Sequence, residues 1–78
     1  MPLGGGVELG RRARDVLIKA RLAANVTQRE LALRLGRAQS YVSRIENGRL
    51  SIEREQFVEI ARALGQDPYV LFAKVVKT

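Results

Sequence analysis

Val26-Thr27-Gln28-Arg29-Glu30-Leu31-Ala32-Leu33-Arg34-Leu35-Gly36 and, after Arg37 and Ala38, Gln39-Ser40-Tyr41-Val42-Ser43-Arg44-Ile45-Glu46-Asn47-Gly48 are the two stretches that decide the fold of this chain. Thr27 and Glu30 stand at capping-box spacing: the hydroxyl of the first can accept from the amide of the second, whose carboxylate reaches back to the Thr27 amide. Val26 and Leu31 hold the matching hydrophobic-staple positions on either side of that box. A short helix is therefore predicted from Gln28 through Leu35. Gly36 stops it, because glycine enters the left-handed region without a Cβ clash. A second short helix is predicted over Gln39–Glu46, with Val42 and Ile45 facing inward and Asn47-Gly48 as its end. Ala32 is small where the two helices must cross closely. Two short helices joined by a tight, glycine-bearing turn are the physical signature of a helix-turn-helix, though any compact helical bundle also contains such pairs.

Working outward, the N-terminal side reads as one longer helix from Glu8 to about Ala24. Leu9, Ala13, Val16, Leu17, Ala20 and Ala24 recur on one face at three- and four-residue spacing, and Asn25 is the expected stop. Ile18 and Leu22 point away from that face, as single surface apolar residues or as a docking spot. Towards the C-terminus, Ser51 is the expected cap of a fourth helix whose inner face is Phe57, Ile60, Ala61 and Leu64, ended by Gly65. Asp67-Pro68 opens a fifth, with Asp at the N-cap and Pro in the first turn, where a missing N–H does no harm. No β-type alternation or internal repeat is present. The expected fold class is all-α with five helices. Residues 1–7, containing Gly4-Gly5-Gly6, read as a flexible tail, and residues 8–78 as a single domain.

Composition narrows the function. The chain has 78 residues with neither cysteine nor histidine, which removes disulfides, thiolate and imidazole chemistry, and nearly every zinc site. The eight acids show no paired-carboxylate or calcium-loop spacing. No enzyme activity, metal or cofactor is expected. No apolar run approaches the ~20 residues that span a bilayer, and the first residues lack the basic and apolar regions of a signal peptide; a cytoplasmic protein is expected. Net charge is +6, and it is unevenly spread: from Arg11 to Arg49 there are ten bases against three acids, whereas from Leu50 to Thr78 there are four of each. A basic front and a neutral back suit a polyanion-binding face and a separate surface for another contact.

The stretches 26–36 and 39–48 resemble the helix-turn-helix of the Cro/C1-type (XRE) repressors. Phe57-Val58-Glu59-Ile60-Ala61-Arg62-Ala63-Leu64-Gly65 resembles the fourth helix of that family, and Asp67-Pro68-Tyr69-Val70-Leu71-Phe72 its fifth. The resemblance runs from about Leu9 to Val76. It implies a lambda repressor-like, five-helix DNA-binding domain that sets its second short helix in the major groove of double-stranded DNA. By that resemblance Gln39, Ser40, Ser43 and Arg44 read bases: a glutamine amide suits adenine and a guanidinium suits guanine. Gln28 donates to a phosphate and braces Gln39. Tyr41, Asn47, Arg49 and Arg37 complete the phosphate contacts. Arg21 and Glu46 pair between the first and third helices and lie outside the DNA contacts.

Three positions depart from the family pattern. Ala38 replaces the usual Ser or Thr at the N-cap of the third helix, Gln66 stands where an aliphatic is usual, and Arg54 lies on a usually apolar face. The fifth helix carries Tyr69, Leu71, Phe72, Ala73, Val75 and Val76, an arc wider than the ~100° that one core needs. Tyr69, Phe72, Ala73 and Val76 are therefore the expected homodimer surface. The expected function is a regulator that binds a palindromic operator as a homodimer. A stand-alone repressor, a restriction-modification controller, an antitoxin with a toxin partner, and an interaction module that has lost DNA binding all remain open at this point.

Overall fold

The computed structural model describes residues 7–77 as five helices: α1 (Val7–Ala23), α2 (Gln28–Leu35), α3 (Gln39–Glu46), α4 (Arg54–Ala63) and α5 (Pro68–Val76). No strand occurs among the described residues. α1 starts at Val7, one residue inside the stretch read as a tail; Met1–Gly6, the rest of that tail, lie outside the described residues.

The inward positions expected from periodicity form one core. Ala13 and Leu17 of α1 meet Leu31 and Ala32 of α2, Val42 and Ile45 of α3, Phe57, Ile60 and Ala61 of α4, and Leu71 and Val75 of α5. Each buried Leu, Ile, Val or Phe contributes roughly 1.5–3 kcal/mol of transfer free energy. α1 packs across α3, α4 and α5, while α2 packs on α3 and α4. Residues expected only as flanks also take part: Val26, the staple residue, and Ile52 in the α3–α4 connection are both buried. Ala24, expected on the inner face of α1, is instead exposed, because the helix closes at Ala23 and Ala24 sits in the turn.

The helix ends follow local chemistry closely. The Thr27 amide donates to Glu30 Oε1 at 3.1 Å, and the Glu30 amide to Thr27 Oγ1 at 3.0 Å, which closes the expected capping box. The bond from the Thr27 amide, followed by the Thr27 hydroxyl, holds the Glu30 carboxyl below its ordinary value of 4.5. Asp67 Oδ1 accepts from the Tyr69 amide at 2.8 Å, with Pro68 in the first turn. α1 closes on Asn25, whose φ of 58° is unusual for a residue with a Cβ and is best tolerated by asparagine among them. The Val26 amide then reaches back to Arg21 O at 3.1 Å, the six-to-one bond of a Schellman motif.

α4 begins later than expected. Ser51 is exposed and does not cap it; Ile52 is drawn into the core, and the N-cap is Glu53. The Glu53 amide donates to Gln56 Oε1 at 2.6 Å as part of a capping box between these two residues. The burial of one isoleucine thus moves the helix start two residues along the chain. At α3 the cap is missing: Ala38 has extended backbone and makes no side-chain cap bond. Ala38→Ser should raise stability by about 1 kcal/mol by satisfying an amide of the first turn. Chemical denaturation checks this; an unchanged midpoint would mean that the α3 start is already satisfied.

Candidate nucleic-acid interface

α2 and α3 form one rigid element because a single carboxylate ties three segments together. Arg21 Nε donates to Glu46 Oε2 at 2.7 Å and Arg21 Nη2 to Glu46 Oε1 at 2.9 Å. Arg21 Nη1 donates to the Val26 carbonyl at 2.8 Å. The side chains of Arg21 and Glu46 are only 10% and 12% exposed. Gln28 Nε2 adds a third donor to Glu46 at 2.9 Å. The expected pairing of Arg21 with Glu46 is therefore present. The expected bracing of Gln39 by Gln28 is not, because the Gln28 amide is turned to Glu46, where a nearly buried carboxylate is the stronger acceptor.

On this support the first turns of α3 stand clear. Gln39, Ser40 and Arg44 are exposed and Ser43 is half-buried. None of these four side chains is hydrogen-bonded within the described residues. Residues 40, 43 and 44 lie at three- and four-residue spacing, so they share the outward face beside Gln39. Val42 and Ile45 hold the opposite face of α3 in the core.

The residues expected at phosphate positions surround that face in different ways. Asn47 and Arg49 are exposed just past α3, with the Arg49 amide donating to Asn47 Oδ1 at 3.2 Å; the Arg49 side chain is left pointing outward from a locally ordered turn. Tyr41 is half-buried, and its hydroxyl accepts from Gln56 Nε2 at 2.9 Å. Its own O–H proton is still available as a donor. The Arg37 guanidinium sits over the Tyr41 ring, 4.6 Å from the centroid, a cation–π contact that limits its reach. Neither the Gln56–Tyr41 bond nor the Arg37–Tyr41 contact is foreshadowed by spacing. The cationic surface also includes exposed Arg29 and Arg34, and Arg34 Nη1 donates to the Ala63 carbonyl at 2.8 Å, locking α2 to the end of α4.

The other face of the molecule differs. On α5, Tyr69 is 85% exposed and Val76 55%, and Ala73 is exposed beside them. Phe72 is shared with the core: it is half-buried, and its ring meets Phe57 edge-on at 5.7 Å and 85°. Tyr69 and Phe72, with Pro68, border a groove of about 240 Å³ between α4 and α5 that is also lined by Phe57, Val58, Arg54 and Arg62. Arg54 thus lies on the groove rim in solvent, and exposed Gln66 closes α4 through its backbone amide, bonded to Ala61 O at 2.9 Å. Neither departure from the family pattern interrupts the core.

No helix among the described residues is long and apolar enough to cross a membrane. No group of histidine, cysteine, aspartate or glutamate among them is arranged to hold a metal ion.

Comparison with known proteins agrees with this geometry. A family model described as Helix-turn-helix matches residues 17–71. An XRE-family like protein from Pseudomonas syringae pv. tomato superposes with a TM-score of 0.82 at 43% identity, covering 86% of this chain and 82% of that one. The clp gene regulator ClgR from C. glutamicum superposes with a TM-score of 0.79 at 26% identity, covering 88% and 90%. A mutant of the restriction-modification controller protein C.Esp1396I gives 0.82 at 25% identity, covering 91% and 95%. Among curated proteins no match is found. The α2–turn–α3 unit thus sits in a DNA-binding fold of regulators rather than of enzymes, and the chain belongs to the Cro/C1-type (XRE) helix-turn-helix family.

Proposed function

We propose that this protein is a transcriptional regulator that binds double-stranded DNA sequence-specifically, as a homodimer on a palindromic operator, and acts as a repressor of its own or neighbouring genes in the cytoplasm of a bacterial or phage-infected cell. The observation that carries the reading is the unbonded outward face of α3, supported by helices fixed through Glu46. Side chains that satisfy no partner at home are free to satisfy base edges, and a fixed support keeps their ordering cost low.

Gln39 presents a donor and an acceptor for adenine, and Arg44 a fork for guanine; Ser40 and Ser43 reach neighbouring base edges. Asn47, Arg49, Gln28, Tyr41 and Arg37 hold phosphates and set the register without reading sequence. Tyr69, Ala73, Val76 and the outer edge of Phe72 form the two-fold contact, on the side of the chain whose charges cancel. A likeness to a restriction-modification controller protein supports the controller setting among those left open by the sequence.

Selection of bound duplexes from a random pool gives the operator and tests the proposal directly. On the selected site, four phosphate contacts per subunit predict a log–log salt slope near −7 for a dimer, at about −0.9 per contact. Arg44→Ala should relax preference at one base pair per half-site, with a loss of about 1–3 kcal/mol there. Arg49→Ala should instead weaken all sequences alike. Identical behaviour of the two variants across single-base operator changes would overturn the division into reader and clamp. A slope shallower than about −2 would remove the electrostatic basis of binding.

A further inference from the structure

Arg14 precedes Arg21 by seven residues, two turns of α1, and so lies on the same face of that helix. Arg21 there meets Glu46 at the end of α3. Arg14 meets the next piece of chain, the turn at Gly48: a Cβ placed on Gly48 would stand 3.1 Å from Arg14 Nη1, 3.5 Å from Cζ and 4.0 Å from Nη2. Gly48 has φ of +83°, so glycine serves twice here, by tolerating that backbone and by leaving room for the guanidinium.

The guanidinium carries five N–H donors, yet no hydrogen bond or ion pair engages Arg14 within the described residues, although the residue is half-buried. Nearby Glu46 offers no simple explanation, since it already receives two bonds from Arg21 and one from Gln28. The amides of the turn are also engaged. The Gly48 amide donates to Ile45 O at 3.2 Å, and the Arg49 amide to Arg44 O at 2.8 Å and to Asn47 Oδ1 at 3.2 Å. An anion arriving at this turn therefore finds no free backbone donor on Gly48 or Arg49. The cationic residues there are Arg49, exposed in the turn itself, and Arg14, whose guanidinium lies across it.

We propose that Arg14 is a phosphate-binding residue, which forms with Arg49 a two-arginine clamp on one backbone phosphodiester per half-site. The assignment rests on the DNA-binding reading above. The Arg14 guanidinium has no acceptor within the described residues and none of its nitrogens is sealed from solvent, so its donors are open to an incoming anion. A phosphate accepts two parallel N–H bonds from it. The clamp joins α1 to the DNA contacts and fixes the approach of α3 from its C-terminal side.

The test uses the whole chain, the selected operator, and the variants Arg14→Gln and Arg14→Lys. Arg14→Gln should titrate with a shallower salt slope, by up to about 1.8 in a two-fold complex, the limit set by full loss of one phosphate per half-site at roughly 0.9 each. Its affinity should fall equally for every operator variant, with an unchanged melting temperature. Arg14→Lys should restore the slope. A duplex with a neutral methylphosphonate at the clamped position should weaken wild-type binding by more than it weakens Arg14→Gln, in which Arg49 alone still contacts that phosphate. Wild-type slope in Arg14→Gln overturns the assignment. So does a lowered melting temperature with the slope intact, which would make Arg14 a support for the α3 end. A wild-type chain with no duplex affinity overturns the DNA-binding reading itself and this assignment with it.

Discussion

Replacing Glu46 by Ala is expected to lower the melting temperature of this domain by more than about 10 °C. The side chain is nearly buried and accepts three bonds from Arg21 and Gln28. Removing it leaves a guanidinium and an amide without their acceptor inside the fold. Breaking a buried pair by deleting one partner costs about 3–5 kcal/mol, and 1 kcal/mol moves the midpoint of a domain of this size by roughly 4–8 °C. Domains are stable by only about 5–15 kcal/mol in total, so the loss is a large share. Replacing both partners, Arg21→Met with Glu46→Leu, should recover much of it, because no charge is then stranded. Calorimetry of the two variants decides the matter. An unchanged midpoint for Glu46→Ala would show that the network contributes nothing to folding.

A charge on the outer face of α5 should act in the opposite way, sparing the fold and removing the function. Tyr69 and Val76 are largely exposed, so Tyr69→Asp and Val76→Asp leave the core untouched. In the proposed dimer each places a carboxylate in an apolar two-fold contact, where its twin lies close across the axis. The expected product is a folded monomer by sedimentation. Such a monomer keeps its half-site contacts but loses the second half-site, and linkage of two sites commonly contributes 10²–10⁴ in affinity, so specific binding should fall by about that factor. Weak, salt-sensitive binding to any duplex should persist. Phe72→Ala is a poor substitute for this test, because Phe72 also packs edge-on against Phe57 inside the fold. The proposal fails if wild type sediments as a monomer at high micromolar concentration with and without DNA. It also fails if the selected operator lacks two-fold symmetry; half-sites one helical turn, about 34 Å, apart are expected.

What could be read from sequence alone was what is local. The Thr27–Glu30 box, the Asp67-Pro68 start and the stops at Asn25 and Gly36 each depend on residues within a turn of one another. They stand where spacing put them. The inward faces were also legible, since helical period fixes which residues share a side. The start of α4 was not legible, because it is set by burial of Ile52 against residues distant in sequence, and because its capping box uses Glu53 rather than a hydroxyl. Side-chain pairings between helices were legible only where a family resemblance supplied them. Arg21 with Glu46 was foreseen in that way. Gln28 with Glu46 and Gln56 with Tyr41 were not, and both engage residues expected to face DNA while leaving each of them one donor. Arg14 escaped notice because nothing in its own surroundings along the chain says that Gly48 lies opposite.

The separation between the outward side chains of α3 and the network beneath them carries a consequence for descent. Gln39, Ser40, Ser43 and Arg44 make no side-chain hydrogen bond to the rest of the described molecule, whereas Arg21, Gln28 and Glu46 bond only inward. A duplicated gene can therefore change the first set freely, since surface substitutions of this kind usually alter stability by no more than about 0.5 kcal/mol. Under the proposed reading, paralogues can drift to new binding sites without passing through an unfolded ancestor, while single changes in the second set are opposed by the stability they would cost.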